Sequence, residues 1–145
     1  MEKKIYLASP FFNESELVVY KETIERLRRA GYKVHVPQEH EVKNAWDYSN
    51  RDWAKKVFDM DIDAIHECDV VMVLNFGMYS DSGTAWEAGF GAALGKMVVQ
   101  VLCGYENATY SLMMINGCNK VIAVDHVEFW EEQSAQVNLD TVIQK

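Results

Sequence analysis

Cationic side chains are scarce in this chain. Fourteen Lys and Arg face twenty-two Asp and Glu, a formal net charge of −8 over 145 residues. A surface of that sign repels both a phosphate backbone and an anionic bilayer, so neither nucleic acid nor a membrane is expected as a partner. A small ligand, neutral or locally recognised, fits better. No apolar run approaches the roughly 18 residues of a membrane-spanning helix. The N-terminus, Met1-Glu2-Lys3-Lys4, enters a strand pattern without a secretory signal. Cysteine is also sparse. Cys68, Cys103 and Cys118 are odd in number and lack metal spacing, which points to reduced thiols and a cytoplasmic protein. His35, His40, His66 and His126 are scattered, so no zinc site is expected. Repeats and low-complexity tracts are absent, and the length suits one domain spanning residues 1–145.

What is present is an alternation of short apolar runs with helical periodicity. Lys4–Ser9, Tyr32–Val36, Asp69–Asn75, Met97–Leu102 and Lys120–Val124 read as strands. Asn13-Glu14-Ser15-Glu16 supplies N-cap chemistry for a first helix, with Arg28 and Arg29 in its last turn and Gly31 just beyond. Arg51–Glu67 reads as a second helix, with Trp53, Val57, Met60 and Ala64 on one stripe. A small-residue helix ends near Gly95, a short apolar one covers Leu112–Ile115, and Val127–Gln136 reads as a final amphipathic helix. This alternation indicates an α/β fold, a single doubly wound (flavodoxin-like or Rossmann-like) domain with a five-stranded parallel sheet. Gln38–Asn50 is expected to be a long loop over the sheet, and Phe76–Ser80 and Gly104–Tyr110 shorter ones. Trp46, Trp53 and Trp86 read as packing residues.

The segment Asp81-Ser82-Gly83-Thr84-Ala85-Trp86-Glu87-Ala88-Gly89-Phe90-Gly91 follows the third strand. In an open α/β sheet, ligands bind outside the carboxyl ends of the strands, so Asp81 and Glu87 stand where a site is expected. Thr84-x-x-Glu87 also fits a capping box, in which Glu87 would brace the helix start. Its helical neighbours Gly83, Thr84, Phe90 and Gly91 are all uncharged, however, so Glu87 does not belong to a solvated face. Gly89 and Gly91 each weaken the helix by roughly 1 kcal/mol, a cost explained if something approaches closely there. Among Asp59, Asp61 and Asp63, only Asp61 has apolar helical neighbours: Val57, Phe58, Ala64 and Ile65. An inward aspartate must be hydrogen-bonded, paired or protonated. It either anchors a loop or joins the site.

Three convergent acids suit chemistry at an acetal-like carbon, where one carboxylate attacks and a partner of raised pKa protonates the leaving group. Such a site needs no metal or other cofactor. Three carboxylates could equally hold Mg²⁺ if phosphates helped, but no phosphate-cradling glycine loop accompanies them. Gly89–Gly95 superficially resembles a dinucleotide fingerprint, but it lies inside a helix with the wrong third spacing. Tyr6 is either core or, if it faces the site, an orienting group for Glu87. Phe11 is either a stacking surface for a flat ligand or a loop hydrophobe tucked into the core.

Taken together, Ile5-Tyr6-Leu7-Ala8-Ser9-Pro10-Phe11-Phe12, the helix aspartate Asp61 and Asp81-x-Gly83-x-x-x-Glu87-x-Gly89 resemble the nucleoside 2-deoxyribosyltransferase family over most of the chain. The resemblance implies that Glu87 is a nucleophile forming a 2-deoxyribosyl ester, held in place by Tyr6. It implies that Asp61 and Asp81 bind the sugar hydroxyls and the base, that one of them shuttles a proton, and that Ser9, Phe11 and Gly83 contact substrate. Its substrates would be a deoxynucleoside and a free nucleobase. Family members assemble as homo-oligomers, dimer-based and up to hexamers, in which a neighbouring subunit completes the site through an Asn-x-Met element. Ser111-Leu112-Met113 corresponds to it here, with serine for asparagine, so Ser111 and Met113 are further substrate-binding candidates. The nearest rival is an N-glycosidic hydrolase of (deoxy)nucleosides or their 5′-monophosphates. No Arg or Lys lies in the first-strand turn or the Asp81–Gly91 segment, which ranks phosphate recognition lower. A non-catalytic nucleoside sensor is the third reading.

Overall fold

A computed structural model describes residues 2–78, 81–104 and 107–145. Five strands form one all-parallel sheet: β1 (Lys4–Ala8), β2 (Lys33–His35), β3 (Val70–Asn75), β4 (Met97–Leu102) and β5 (Lys120–Ala123), in the order β2-β1-β3-β4-β5. This is the flavodoxin-like order. Its topological switch point, where a crevice opens for ligands, lies between β1 and β3. β3 is buried at all six positions, as its unbroken Val-Val-Met-Val-Leu run requires of a strand covered on both faces.

Helices α1 (Glu14–Arg29), α2 (Asn50–Glu67), α3 (Ser82–Ala93) and α4 (Leu112–Asn116) connect the strands. The Asn13 side chain caps α1 by accepting from the Glu16 amide, and Gly31 takes φ +98° past its end. One core packs Ile5, Leu7, Tyr20, Leu27 and Trp130 on the α1 side of the sheet. The other packs Tyr6, Ala8, Ile65, Val71 and Ala88 beneath α2 and α3. Residue alternation along β1 thus hands Tyr6 to the α2–α3 face and Leu7 to the opposite one. No helix among the described residues is long and apolar enough to cross a membrane.

Three sequence expectations need correction. Val127–Gln136 is not an α-helix but short 3₁₀ segments, Val124–Phe129 and Gln133–Ala135, with a break at His126. There, Gln136 bridges Ile122 antiparallel and the Val137 amide donates to the Val121 carbonyl, so the edge of β5 claims backbone that a helix would have used. Of the stripe on α2 only Ala64 is buried and Trp53 is exposed, because the inward face of the helix runs through Ile65 instead. Trp46 is fully exposed and Trp86 half-exposed, so neither is a packing residue of the core. Gln38–Asn50 is largely loop, with single 3₁₀ turns at Pro37–Glu39 and Ala45–Asp47. The Phe76–Ser80 and Gly104–Tyr110 loops include Tyr79, Ser80, Tyr105 and Glu106, which lie outside the described residues.

Candidate active site

At the switch point lies a cavity of about 530 Å³. Its floor and walls include Leu7, Ser9 and Phe11 from the end of β1, Asp61 and Ile65 from α2, and Asp81, Gly83 and Glu87 from the start of α3. The fold therefore brings together six of the candidates: Asp61, Asp81, Glu87, Ser9, Phe11 and Gly83. Tyr6 joins them from beneath, its hydroxyl donating to Glu87 Oε2.

Helix start and carboxylate orientation are coupled here. Asp81, not Thr84, is the N-cap of α3. Its Oδ2 accepts from the Thr84 amide at 2.9 Å and the Thr84 hydroxyl at 3.0 Å. Asp81 thus braces the helix start, a role the sequence offered to Glu87. A Cβ at Gly83 would sit 3.1 Å from Asp81 Oδ2, so glycine leaves room for that carboxylate. Glu87 falls in the second helical turn, where the inward face of α3 carries it over β1. The close approach expected at the helix glycines is real at Gly91 alone. A Cβ there would meet Val71 Cγ2 at 2.6 Å, so the sheet rather than a ligand is what approaches; at Gly89 the space is open.

Burial raises the Glu87 carboxyl to about 7, against the opposing hydrogen bond from Tyr6, and the charges of Asp61 and Asp81 push the same way as burial. Burial likewise raises Asp61, with His40 pulling it back. The Tyr6 phenol is raised far above its usual range, first by burial and then by Glu87, so it remains a hydrogen-bond donor throughout. A desolvated carboxylate on a protonated phenol, facing two other acids across a ligand-sized cavity, is an arrangement for nucleophilic and acid–base work. Among the described residues, no group of three or more His, Cys, Asp or Glu side chains is placed to hold a metal ion.

The remaining wall is apolar: Phe12, Phe58, Ile62 and Trp86 line it together with Phe11. Phe11 packs against the core, stacking on Tyr20 at 5.3 Å, and also lines the cavity. Phe58 and Trp86 are further site-lining residues; Phe58 lies one turn before Asp61 and Trp86 directly precedes Glu87, which was the available signal. Ser111 and Met113 do not reach this cavity within one chain. Ser111 caps α4 through the Met114 amide, and Met113 is 84% exposed. Behind the site, buried Asn75 donates to Gln100 at 3.1 Å and accepts from the Gly77 amide at 3.0 Å, fixing where the chain leaves β3.

Family and structural likeness together mark an α/β enzyme of the deoxyribosyl-transfer and N-glycosidase group. The nucleoside 2-deoxyribosyltransferase family model matches residues 5–117, and the chain belongs to that family. Among solved structures, it resembles a 2-deoxyribosyltransferase from Bacillus psychrosaccharolyticus at 30% identity, covering 93% of this chain and 97% of the other, with a TM-score of 0.79. The CMP N-glycosidase of Clostridium botulinum is similar at 26% identity and TM-score 0.58, covering 89% and 95% of the two chains. A conserved protein from Enterococcus faecalis shares the fold at 19% identity and TM-score 0.75, over 92% and 99%. No curated protein matches the chain.

Proposed function

We propose that this enzyme transfers 2-deoxyribose between nucleobases through a covalent ester on Glu87, with retention of configuration. The observation that carries this reading is Glu87 itself, half-buried in a ligand-sized cavity and held by the Tyr6 hydroxyl, with two further acids lining the same cavity. In the first half-reaction a Glu87 carboxylate oxygen attacks C1′ as the C1′–N bond breaks, and Asp61 or Asp81 delivers a proton to the departing base. In the second, a nitrogen of the incoming base attacks C1′, the ester C–O bond breaks and that base's proton returns to the acid. Two inversions leave the anomeric configuration unchanged. The aromatic wall of Phe11, Phe12, Phe58 and Trp86 suits stacking against a base and keeps water from the ester, which transfer requires.

The site is completed, in this reading, by Ser111 and Met113 of a neighbouring copy in a homo-oligomer. Support comes from the exposure of Leu112, Met113 and Trp86, apolar surface that a lone subunit would leave in water. The free cysteines fit a reducing, cytoplasmic setting.

Incubation with one deoxynucleoside and a second free base tests the assignment. New deoxynucleoside is expected. Release of deoxyribose without exchange, even at high acceptor concentration, would instead identify an N-glycosidic hydrolase, the reading that the similarity to a CMP N-glycosidase favours.

A further inference from the structure

Tyr6 does not stand alone on its face of the sheet. In the parallel register of β1 and β2 it lies opposite His35, so the two side chains emerge on the same face. Their rings stack with centroids 5.4 Å apart and planes 12° from parallel. His40, from the loop beyond β2, stacks on His35 in turn, at 4.4 Å and 1°. Tyr6, His35 and His40 thus form a run of three near-parallel rings, leading from the half-buried carboxylate to the surface.

We propose that His35 is a positioning residue for the nucleophile, acting through Tyr6: its flat ring fixes the phenol so that the hydroxyl stays on Glu87. The chemical consequence rests on Glu87 being the nucleophile; the hydrogen bond itself does not. A phenol oxygen is aimed by two torsions only, and a plate against its ring restricts both. Without that plate, a void opens beside Tyr6 and the donor wanders from a carboxylate that has no cation beside it among the described residues.

The agent is the ring and not a positive charge. Burial, and then the neighbouring His40, hold His35 below the ordinary histidine range against the pull of Glu67 and Glu39. Lys4, Lys33, His40, Glu67 and Cys68 are the other titratable groups lining the small cavity behind it, and Tyr6, Asp61 and Asp81 are those that face Glu87. At neutral pH, His35 therefore meets Tyr6 as a neutral plate.

The test compares His35→Ala with His35→Phe, reading the Glu87 carboxyl by ¹³C NMR titration alongside steady-state kinetics. Because the Tyr6 hydrogen bond favours the ionised carboxylate, H35A is expected to raise the Glu87 midpoint. It should lower kcat about tenfold while KM changes by less than about twofold. H35F, which keeps a flat ring and cannot titrate, is expected to restore the wild-type midpoint and most of kcat. If H35A fails to fold, His35→Leu, which fills the space without a flat ring, takes its place with the same expectation. A wild-type midpoint and kcat in H35A, or an H35F as impaired as H35A, would overturn the proposal. A wild-type protein that neither transfers nor hydrolyses would refute the proposed function, while the titration would still decide whether His35 positions Tyr6.

Discussion

Glu87 sits where its charge is costly. Its folded midpoint is about 7, against an ordinary value of 4.5. Between those values the folded chain keeps a proton that the unfolded chain has released, so this group lowers stability as pH rises from about 4.5 to about 7. Above that window the cost is about 3 kcal/mol. Glu87→Gln keeps an acceptor for Tyr6 without the charge. It is expected to raise the melting temperature at pH 8 and to lose that advantage near pH 4.5; equal melting temperatures at both pH values would show that the site is not desolvated. The same titration shapes activity. The nucleophile must be ionised, so kcat/KM should climb with pH through about 7, and E87A should lose at least about a thousandfold in kcat. The sequence offered Glu87 as either brace or attacker. It could not decide, because helix caps are read from spacing whereas the choice between Asp81 and Thr84 as N-cap is made by backbone torsions.

Helix α3 does two jobs, and substitutions separate them. Asp81→Asn retains an oxygen for the Thr84 amide, so it should fold with near-wild-type stability yet lose activity. Asp81→Ala should cost about 1 kcal/mol besides, through the lost cap. Comparing the two by chemical denaturation isolates the capping contribution. Gly91→Ala should destabilise by roughly 1–3 kcal/mol, since its methyl would overlap Val71 in a strand with no room to yield. A stabilised G91A would mean that α3 does not press on β3. At this scale the sequence was legible wherever one signal dominated: the unbroken apolar run of β3, the capped α1, the apolar surroundings of Asp61. It failed at Val127–Gln136, where an apolar period typical of a helix belongs to a segment pinned by Trp130 in the core and by the β5 edge. Such long-range pairing leaves no local trace. Tyr6 and His35 stack for the same kind of reason, a cross-strand register that no single segment records.

As a whole, the molecule presents an acidic surface with an aromatic-rimmed crevice, and the crevice is incomplete if Ser111 and Met113 belong to it. Mixing two inactive proteins, E87Q and a Met113→Asp variant, tests that arrangement. If neighbouring subunits share sites, mixed oligomers contain some sites with both residues intact and activity returns. If the mixture stays inactive although subunits exchange, each chain works alone. Fold class could be anticipated because alternating elements admit few parallel arrangements; the strand order, which separates flavodoxin-like from Rossmann-like sheets, could not, and a shared site is suggested only by the family resemblance and by exposed apolar side chains.

The most direct measurement is mass spectrometry of the enzyme quenched during turnover with a deoxynucleoside and no acceptor base. The account predicts one added 2-deoxyribosyl group, on the peptide containing Glu87 and absent from E87Q, together with one equivalent of base released in a burst. A protein that turns over substrate while Glu87 stays unlabelled, with no burst, would contradict it.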